Sequence, residues 1–263
     1  MTSQKTNSPF ISIIITVLNG AKTLQTCLDS IQDQTFSEYE LVLIDGGSTD
    51  GSDQIAINSK IRDKTVRIVP ELGLYAGLNL GIRLSTGKWL YFIGADDRLH
   101  NFETLQEVSK SILAKHEDAR VMVGSVNFLK QKIFFQPILG SPFFLRHSVH
   151  HQGMFYDRTV FNKSMYDESM RIASDYEFNM KLALMGVPHQ LMNVVVCDFG
   201  GDGVSENQLK KGFLEMQQSH VRLFKGLNRV WVMQLFWLRR RVGALLRHFE
   251  LREIRLELKR IFG

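Results

Sequence analysis

Short apolar runs alternate with segments of helical periodicity along the first part of the chain. The run from Ile11 to Val17 is β-branched and nearly continuous, and shorter apolar runs follow at 41–44, 66–69 and 89–93. Runs of this kind are typical of strands that are buried on both faces of a parallel sheet. Apolar residues recur at helical spacing between these runs, as at 24–34. The order β-α-β-α-β-α-β predicts an α/β fold with a doubly wound, mainly parallel sheet.

The second half of the chain has a less regular pattern. We predict a helix at 102–116, strands at 120–128, 132–135 and 189–196, and a helix that begins at Ser174. The section 136–149 holds Pro137 and Pro142 and little regular pattern. This favours a mobile loop that covers a binding site. The glycine-rich stretch 200–205 predicts a second loop at the edge of such a site.

The last part of the chain differs in kind. Apolar residues recur at helical spacing from Trp231 to Leu245 and again from Leu251 to Ile261, and arginines lie among them. This pattern is typical of amphipathic helices. We therefore predict two units, an α/β domain at 1–208 and a C-terminal helical extension, a basic amphipathic tail, at 209–263.

The composition excludes several classes of protein. With 263 residues, 44% hydrophobic and 22% charged, the chain has the composition of a soluble globular protein. We see no signal peptide, and no uncharged apolar run reaches the roughly 18 residues that a membrane span needs. Cys27 and Cys197 lie in apolar patterns far apart, so we expect reduced, buried thiols in a cytoplasmic protein.

The net charge of +5 is unevenly distributed along the chain. Residues 210–263 hold 13 Lys and Arg against 4 Asp and Glu, a net charge of +9, whereas residues 1–209 carry a net charge of −4. This asymmetry predicts an anionic partner for the tail, either a membrane surface or a nucleic acid. Because no recognised nucleic-acid motif accompanies the charge, we favour a membrane surface, contacted through 229–263, and expect no nucleic-acid partner.

Two adjacent carboxylates, Asp96 and Asp97, directly follow the predicted strand at 89–93. Ligands of parallel sheets bind beyond the carboxyl ends of the strands, which is where this pair falls. Neighbouring carboxylates repel each other unless a cation or a set of donors compensates them, and a hard divalent ion that bridges to phosphate oxygens does so. The alternative is a solvated turn that happens to hold two acidic residues.

Two common nucleotide signatures are missing from the sequence. No Gly-x-x-x-x-Gly-Lys-Ser/Thr motif occurs, so the chain is not a P-loop protein. The glycines at 73, 77 and 81 precede or lie within a predicted helix and do not make the dinucleotide fingerprint. A bound nucleotide would therefore be held mostly by side chains and a metal ion.

Four motifs, in register over roughly residues 10–100, carry a resemblance to a known family. They are Thr16-Val17-Leu18-Asn19, the Leu28-x-Ser30-Ile31-x-x-Gln34-Thr35 helix, Ile44-Asp45-Gly46-Gly47-Ser48-Thr49-Asp50-Gly51, and Asp96-Asp97. Together they resemble the inverting family 2 glycosyltransferases of bacterial polysaccharide biosynthesis, which implies a GT-A fold. Gly73-Leu74-Tyr75 with Asn79-x-Gly81 resembles the next block of that family. The family often has an acidic residue after the tyrosine, where this chain has Ala76, which puts one secondary contact in doubt.

The resemblance implies roles for the acidic residues. Asp175 would be the general base, and Asp97 would hold Mg²⁺ or Mn²⁺. Asp96 would contact the ribose or share the metal, and Asp45 would reach the base of the nucleotide with help from the backbone around Thr16. The remaining predicted donor-binding residues are Asn19, Asp50 and Asn79. Asp175 also suits a simpler role, because a carboxylate is favoured in the first turn of a helix.

Three residues are predicted on the acceptor side. The resemblance implies that His151 and Gln152 line the acceptor side of the cleft, although a buried, hydrogen-bonded histidine fits the sequence equally well. Metal ligation by both His150 and His151 is disfavoured, because alternating strand directions would point them to opposite faces. Arg171 would meet the diphosphate or pair with a surface acid, and Glu177 would be structural.

The predicted reaction is transfer of a sugar from a nucleotide-sugar donor, most simply a UDP-sugar, to an acceptor hydroxyl with inversion. The acceptor would be a saccharide or a lipid-linked saccharide in envelope or exopolysaccharide synthesis. We expect a cytoplasmic enzyme on the inner face of the cytoplasmic membrane, with a homo-oligomer as one option. The rival interpretations are a sugar-nucleotide nucleotidyltransferase and a non-catalytic nucleotide-binding module.

Overall fold

The computed structural model describes residues 8–139, 149–201 and 209–226, together with positions 234, 237, 238 and 241. The strands are β1 (Ile11–Val17), β2 (Tyr39–Asp45), β3 (Lys64–Ile68), β4 (Trp89–Phe92), β5 (Arg98–Leu99), β6 (Val121–Phe128), β7 (Ile133–Phe135), β8 (Met154–Asp157) and β9 (His189–Phe199). The helices are α1 (Ala21–Gln32), α2 (Ser52–Asn58), α3 (Leu74–Leu84), α4 (Thr104–Leu113), α5 (Ser174–Leu184) and α6 (Leu209–Leu223). Short 3₁₀ turns at His151–Gly153 and Arg158–Asn162 flank β8.

Within the described residues, one sheet contains all nine strands. Its order is β3-β2-β1-β4-β8-β6-β9-β5, and β7 pairs with β6 outside this path. The first four strands pair in parallel, and β6 and β9, which pair with each other in parallel, run in the same direction. The strands β5, β7 and β8 run the opposite way. The predicted mainly parallel sheet is therefore confirmed, with three reversed strands in its second half.

Helices cover both faces of this sheet, as expected for a doubly wound fold. On one face, α1, α2 and α4 bury apolar residues such as Leu24, Ala56 and Val108 against the sheet. On the other face, α3 and α5 bury residues that include Leu78 and Phe178. Because both faces are covered, the central strands are mostly apolar on both faces, which explains the nearly continuous apolar run of β1.

Two glycines bring α3 unusually close to β1. A Cβ atom on Gly81 would lie 2.5 Å from Ile14 Cγ2, and one on Gly77 would lie 2.8 Å from Thr16 Cγ2. Real Cβ atoms do not approach other carbons this closely, so the two positions require glycine at this distance. The close packing fixes the beginning of α3, where Tyr75 lies, relative to the carboxyl end of β1.

The six strands that share a direction end at one edge of the sheet, which we call the carboxyl edge. The loops after β1, β2, β4 and β9 lie there, and so does the 3₁₀ turn before the reversed strand β8. The predicted residues that follow these strands are consequently gathered at a single edge. This is where parallel α/β sheets bind their ligands.

The structure differs from the sequence-based boundaries in a few places. The helix predicted at 102–116 is the shorter α4, and β5 and β8 were not predicted. Much of the predicted loops at 136–149 and 200–205, and nearly all of the predicted tail helices from Trp231 onward, lie outside the described residues. The part of the predicted tail that is described, α6, packs on α5.

The expectations about the cysteines and about membrane-spanning helices can be compared with the described part of the chain. Cys27 and Cys197 are buried free thiols, as predicted. Among the described residues, no helix combines the length and the apolar character that crossing a bilayer would require.

Candidate active site

The loops that follow β1 and β2 are joined by hydrogen bonds around Asn19. The Asn19 amide N–H donates to Ser48 Oγ at 2.8 Å, and Asn19 Oδ1 accepts from the Thr49 N–H at 2.9 Å. Asn19 adopts a left-handed backbone conformation, with φ of 54°, which asparagine tolerates better than most residues. The geometry favours a role for Asn19 in holding the two loops together over the predicted donor contact.

Asp50 also joins the loops that follow β1 and β2. Its Oδ2 accepts from the Ala21 N–H at 2.9 Å, at the first turn of α1, and its Oδ1 accepts from Ser52 Oγ at 2.6 Å. These hydrogen bonds, chiefly the one from Ser52, lower the pKa of the Asp50 carboxyl, so it remains charged. An acidic residue near the amino end of α1 is also favoured by the helix dipole. The surroundings of Asp50 therefore favour a structural role rather than the predicted donor contact.

Asp45 is the last residue of β2 and is fully buried. Its Oδ1 accepts from the amides of Gly47 at 2.7 Å and Ser48 at 2.6 Å. Its Oδ2 is also buried, but no described residue offers it a hydrogen bond. A buried polar atom without a partner is costly, and such atoms in native proteins call for an explanation such as a ligand. Asp45 Oδ2 is thus a ready acceptor at the carboxyl edge.

Two other predicted donor-binding residues lie on or against α3. Thr16, at the end of β1, is half-buried, and its methyl group lies against α3 at Gly77. Asn79 is 2% exposed, and its side chain hydrogen-bonds to the backbone of Tyr166 and to Glu168. Asn79 therefore connects α3 to the segment before α5, and its surroundings do not favour a donor contact.

Asp97 lies in a tight backbone pocket at the carboxyl edge. It is 2% exposed, and it accepts from the amides of Gly94 at 3.2 Å and Gly200 at 2.9 Å. The Gln152 side chain also lies near it and favours its ionised form. Burial, followed by the charge on Asp96, raises the pKa of Asp97 to about 7. The hydrogen bond to Gly200 ties the loop after β4 to the end of β9.

The neighbouring Asp96 is the more accessible carboxylate of the pair, because it is only half-buried. The two acidic side chains repel each other and offer hard oxygen ligands, which suits a divalent cation. No group of three or more His, Cys, Asp or Glu side chains among the described residues is placed to hold a metal alone. The pair therefore fits an ion that takes its other ligands from substrate phosphates and water, as Mg²⁺ commonly does.

Asp175 lies in the first turn of α5 and is half-buried. The Tyr75 hydroxyl, at the beginning of α3, donates to its Oδ1 at 2.7 Å. Its Oδ2 has no hydrogen-bond partner within the part of the chain that the structure describes. The predicted base is thus held at one oxygen and open at the other.

The two histidines of the His150-His151 pair lie in different aromatic clusters. His150 packs between the rings of Phe128 and Phe199, whereas His151 stacks on Phe92 with ring centroids 5.2 Å apart. His151 Nε2 lies 3.0 Å from the Tyr166 hydroxyl, and burial lowers the pKa of this histidine. The two imidazole rings therefore lie in separate aromatic clusters.

The residues of the acceptor-side prediction have different surroundings. The charge of Asp175 influences the pKa of His151, and Gln152 lies near Asp97. Because His151 and Gln152 belong to one 3₁₀ turn, the predicted base and the acidic pair both lie near this turn. The Arg171 side chain is exposed, and its backbone N–H donates to Glu215 of α6.

The contacts between α6 and α5, the helix that carries Asp175, were not predicted from the sequence. Glu215 is 7% exposed and accepts from three consecutive amides, those of Arg171 at 3.0 Å, Ile172 at 2.7 Å and Ala173 at 2.9 Å. Further along α6, Ser219 Oγ donates to Glu177 at 2.8 Å. These contacts hold the residues on both sides of Asp175 and engage the Glu177 side chain within the protein.

A mainly parallel sheet with acidic residues at its carboxyl edge, and a fixed carboxylate on the facing helix, is the arrangement of a GT-A transferase. The chain belongs to glycosyl transferase family 2, because the sequence profile of Glycosyl transferase family 2 matches residues 12–165. The curated relatives include a "PGL/p-HBAD biosynthesis glycosyltransferase" of Mycobacterium bovis. It is 34% identical over 242 residues, which cover 88% of this chain and 91% of the relative.

Solved structures agree on the fold. TarS of S. aureus, in complex with UDP-GlcNAc, superimposes with a TM-score of 0.69 at 20% identity, over 86% of this chain and 71% of TarS. The mannosyltransferase PcManGT of Pyrobaculum calidifontis, in complex with GDP-Man and Mn²⁺, gives a TM-score of 0.64 at 18% identity. That likeness covers 91% of this chain and 76% of PcManGT. The predicted family and the GT-A fold are therefore confirmed.

Proposed function

We propose that this glycosyltransferase moves a sugar from a UDP-sugar to an acceptor hydroxyl in a single displacement with inversion. The observation that carries the proposal is the state of Asp175, which accepts a hydrogen bond from Tyr75 at Oδ1 and has no partner at Oδ2 among the described residues. Asp175 lies near the 3₁₀ turn that contains His151 and Gln152, and Asp97 lies near the same turn. A base and an acidic pair that would hold a cation, both near this turn, suit a displacement at a carbon between them.

In this mechanism the acceptor oxygen attacks the anomeric carbon while the bond from that carbon to the diphosphate breaks. The acceptor proton passes to Asp175 Oδ2, and the bonding electrons leave with the nucleoside diphosphate. One displacement inverts the anomeric configuration. A divalent cation held by Asp96 and Asp97 would supply charge compensation for the departing diphosphate.

We assign the nucleotide-sugar to the carboxyl edge because Asp45 has a carboxylate oxygen, Oδ2, without a partner among the described residues. Its unpartnered Oδ2 accepts a hydrogen bond from an N–H donor, and the uracil ring offers one. TarS, which shares the fold, is in complex with UDP-GlcNAc. PcManGT is in complex with GDP-Man and Mn²⁺, which supports a nucleotide-sugar and a divalent cation but leaves guanine as the competing base.

The acceptor is assigned to glycoconjugate or polysaccharide synthesis by analogy with relatives. The Mycobacterium bovis relative is named for PGL/p-HBAD biosynthesis. We propose a saccharide acceptor on a lipid carrier, reached by an enzyme that lies on an anionic membrane surface. The net charge of +9 in residues 210–263 supports this placement, as do the exposed apolar side chains of Leu214, Val221 and Leu238.

Calorimetry with UDP and GDP, each with and without Mn²⁺, tests the donor assignment. We expect Mn²⁺-dependent binding of UDP, and preferred binding of GDP would overturn the assignment. A transfer assay then tests the base with Asp175→Asn. We expect the rate to fall by roughly 10²- to 10⁴-fold while UDP binding is kept, because the carboxamide cannot take the proton. A normal rate for this variant, or a product with the donor's anomeric configuration by NMR, would contradict the mechanism.

A further inference from the structure

We propose that Tyr75 is a positioning residue for the base, and that its hydroxyl selects Asp175 Oδ2 as the oxygen that takes the acceptor proton. The proposal rests on the proposed function of Asp175. It starts from the hydrogen bond of 2.7 Å that Tyr75 donates to Asp175 Oδ1. A carboxylate that has one oxygen engaged in this way presents the other oxygen in a fixed direction.

The hydroxyl is itself held on a rigid element. Tyr75 is 3% exposed and lies in the first turn of α3, which Gly77 and Gly81 pack closely on β1. Its ring lies 5.6 Å from the ring of Tyr166, so the ring cannot swing away without opening the cluster. The position of the hydroxyl is therefore set by the sheet and not by the loop that it contacts.

The hydroxyl is also a permanent donor. Burial first, and the charge of Asp175 second, raise the pKa of Tyr75 well above its ordinary value. The phenol consequently keeps its proton throughout the pH range of catalysis. Tyr75 neither gains nor loses a proton in the reaction, which moves one proton from the acceptor to Asp175 Oδ2.

In the part of the chain that the structure describes, the titratable side chains near the carboxylate are uncharged near neutral pH. Four of these described side chains interact with Asp175: Tyr75 from α3, Tyr166 from the segment before α5, Tyr156 from β8, and His151 from the 3₁₀ turn. Burial raises the pKa of Tyr156 and Tyr166 and lowers the pKa of His151, which keeps all three neutral. A hydrogen bond donated to Asp175 therefore strongly stabilises its ionised form.

The test is the pH profile of Tyr75→Phe, which removes the hydroxyl and leaves the ring. We expect kcat to fall by roughly 10- to 100-fold, the factor that corresponds to a hydrogen bond to a charged group. The KM for the donor should stay within about twofold, since the change lies on the acceptor side. The acid limb of the profile should move to higher pH by about one unit, because the ionised carboxylate has lost a donor.

Tyr39→Phe is the matched control, because it removes a hydroxyl that donates to the Ile31 carbonyl at 2.8 Å, at the opposite end of β2 from Asp45. It should leave the profile unchanged. A second variant, Tyr75→3,5-difluorotyrosine, keeps the fold and makes the hydroxyl a stronger donor. Its acid limb should move to lower pH, so the proposal remains testable even if Tyr75→Phe does not fold.

The outcomes separate this inference from the proposed function. An inactive Asp175→Asn together with an unchanged profile for both Tyr75 variants would overturn the role of Tyr75 and leave the base in place. An active Asp175→Asn would overturn the proposed function itself, and the role of Tyr75 with it. A loss of kcat in Tyr75→Phe without any shift of the acid limb would show a packing role only, which also overturns the inference.

Discussion

At the scale of single residues, the two carboxylate oxygens of Asp45 have opposite surroundings. One carboxylate oxygen is satisfied by two backbone amides, and the other is buried without a partner among the described residues. Leaving a buried oxygen unsatisfied costs about 1–3 kcal/mol, so the folded protein is less stable than it would be with a partner in place. A bound nucleotide that donates a hydrogen bond there recovers this cost.

We therefore predict that Asp45→Asn weakens UDP binding and leaves the stability of the folded protein nearly unchanged. The amide oxygen can still accept from Gly47 and Ser48, but its nitrogen replaces the open acceptor with a donor. UDP affinity should fall roughly 10- to 100-fold, as for the loss of a hydrogen bond to a charged group. Calorimetry measures the affinity, and thermal unfolding without ligand should show a change of only about 1 kcal/mol or less. Equal UDP affinity in the two proteins would refute the base-contact role.

The residue scale also shows what the motifs could and could not predict. They located Asp45, Asp96 and Asp97 at one edge, because a motif records which residue types occur at which spacing. Motifs do not record which atoms are already used within the protein. Asn79, like Asn19 and Asp50, was predicted to bind the donor, but its side chain is engaged by neighbouring segments. Such engagement depends on atomic geometry that spacing does not contain.

At the scale of elements, α6 supports the helix that carries Asp175, the proposed base. Glu215 is a single buried carboxylate shared by three amides that directly precede α5. Carboxylates bind backbone amides strongly because they are charged acceptors with two oxygens. The chain of contacts continues through Ser219 to Glu177, so α6 holds α5 on both sides of Asp175.

We predict that Glu215→Gln lowers kcat more than it lowers affinity for the donor. The amide side chain has only one acceptor oxygen and turns a donor toward an N–H group, so the segment 171–173 should shift. We expect kcat to fall roughly tenfold with UDP binding unchanged, because a misplacement of about 1 Å is costly for catalysis. Steady-state kinetics and calorimetry measure the two effects. Gln218→Ala, at an exposed position on the same helix, should leave both parameters unchanged.

Regular periodicity explains which elements were predicted correctly. The strands β1, β2 and β4 are continuous apolar runs, and α1 and α3 repeat at helical spacing. β5 has only two residues, and β8 has four residues that pair with β4 and β6 from distant parts of the chain. Strands this short carry almost no periodic signal, and their partners are set by the tertiary fold.

At the scale of the whole molecule, charge is the property that divides the chain. The net charge of −4 over residues 1–209 and of +9 over 210–263 gives the molecule one strongly basic part. Anionic lipid surfaces attract each nearby Lys or Arg by about 1 kcal/mol, and exposed apolar side chains add to this attraction. The proposed membrane contact depends on this combination.

We predict binding to vesicles that contain phosphatidylglycerol and much weaker binding to pure phosphatidylcholine. Replacing Arg239, Arg240 and Arg241 together by Gln should weaken binding to the anionic vesicles roughly 100-fold, from the loss of three charges. Cosedimentation at two salt concentrations measures the effect. Three Gln substitutions at exposed positions of the α/β domain, Lys60, Arg62 and Lys163, are the matched control. Equal losses for the two triple variants would indicate a general charge effect and contradict a specific surface.

The hydrogen bond between Asp97 and Gly200 also determines when the site can exist during synthesis. Its partners are 103 residues apart, and those of the Tyr75–Asp175 contact are 100 residues apart. Contacts with such separation form late, because a long loop must close before they give any stabilisation. A ribosome adds about 5–20 residues per second, so β1 to β4 emerge several seconds before the end of β9. A nascent chain that ends before residue 200 therefore contains Asp45, Asp96 and Asp97, but its acidic pair lacks the amide from β9's end that holds Asp97.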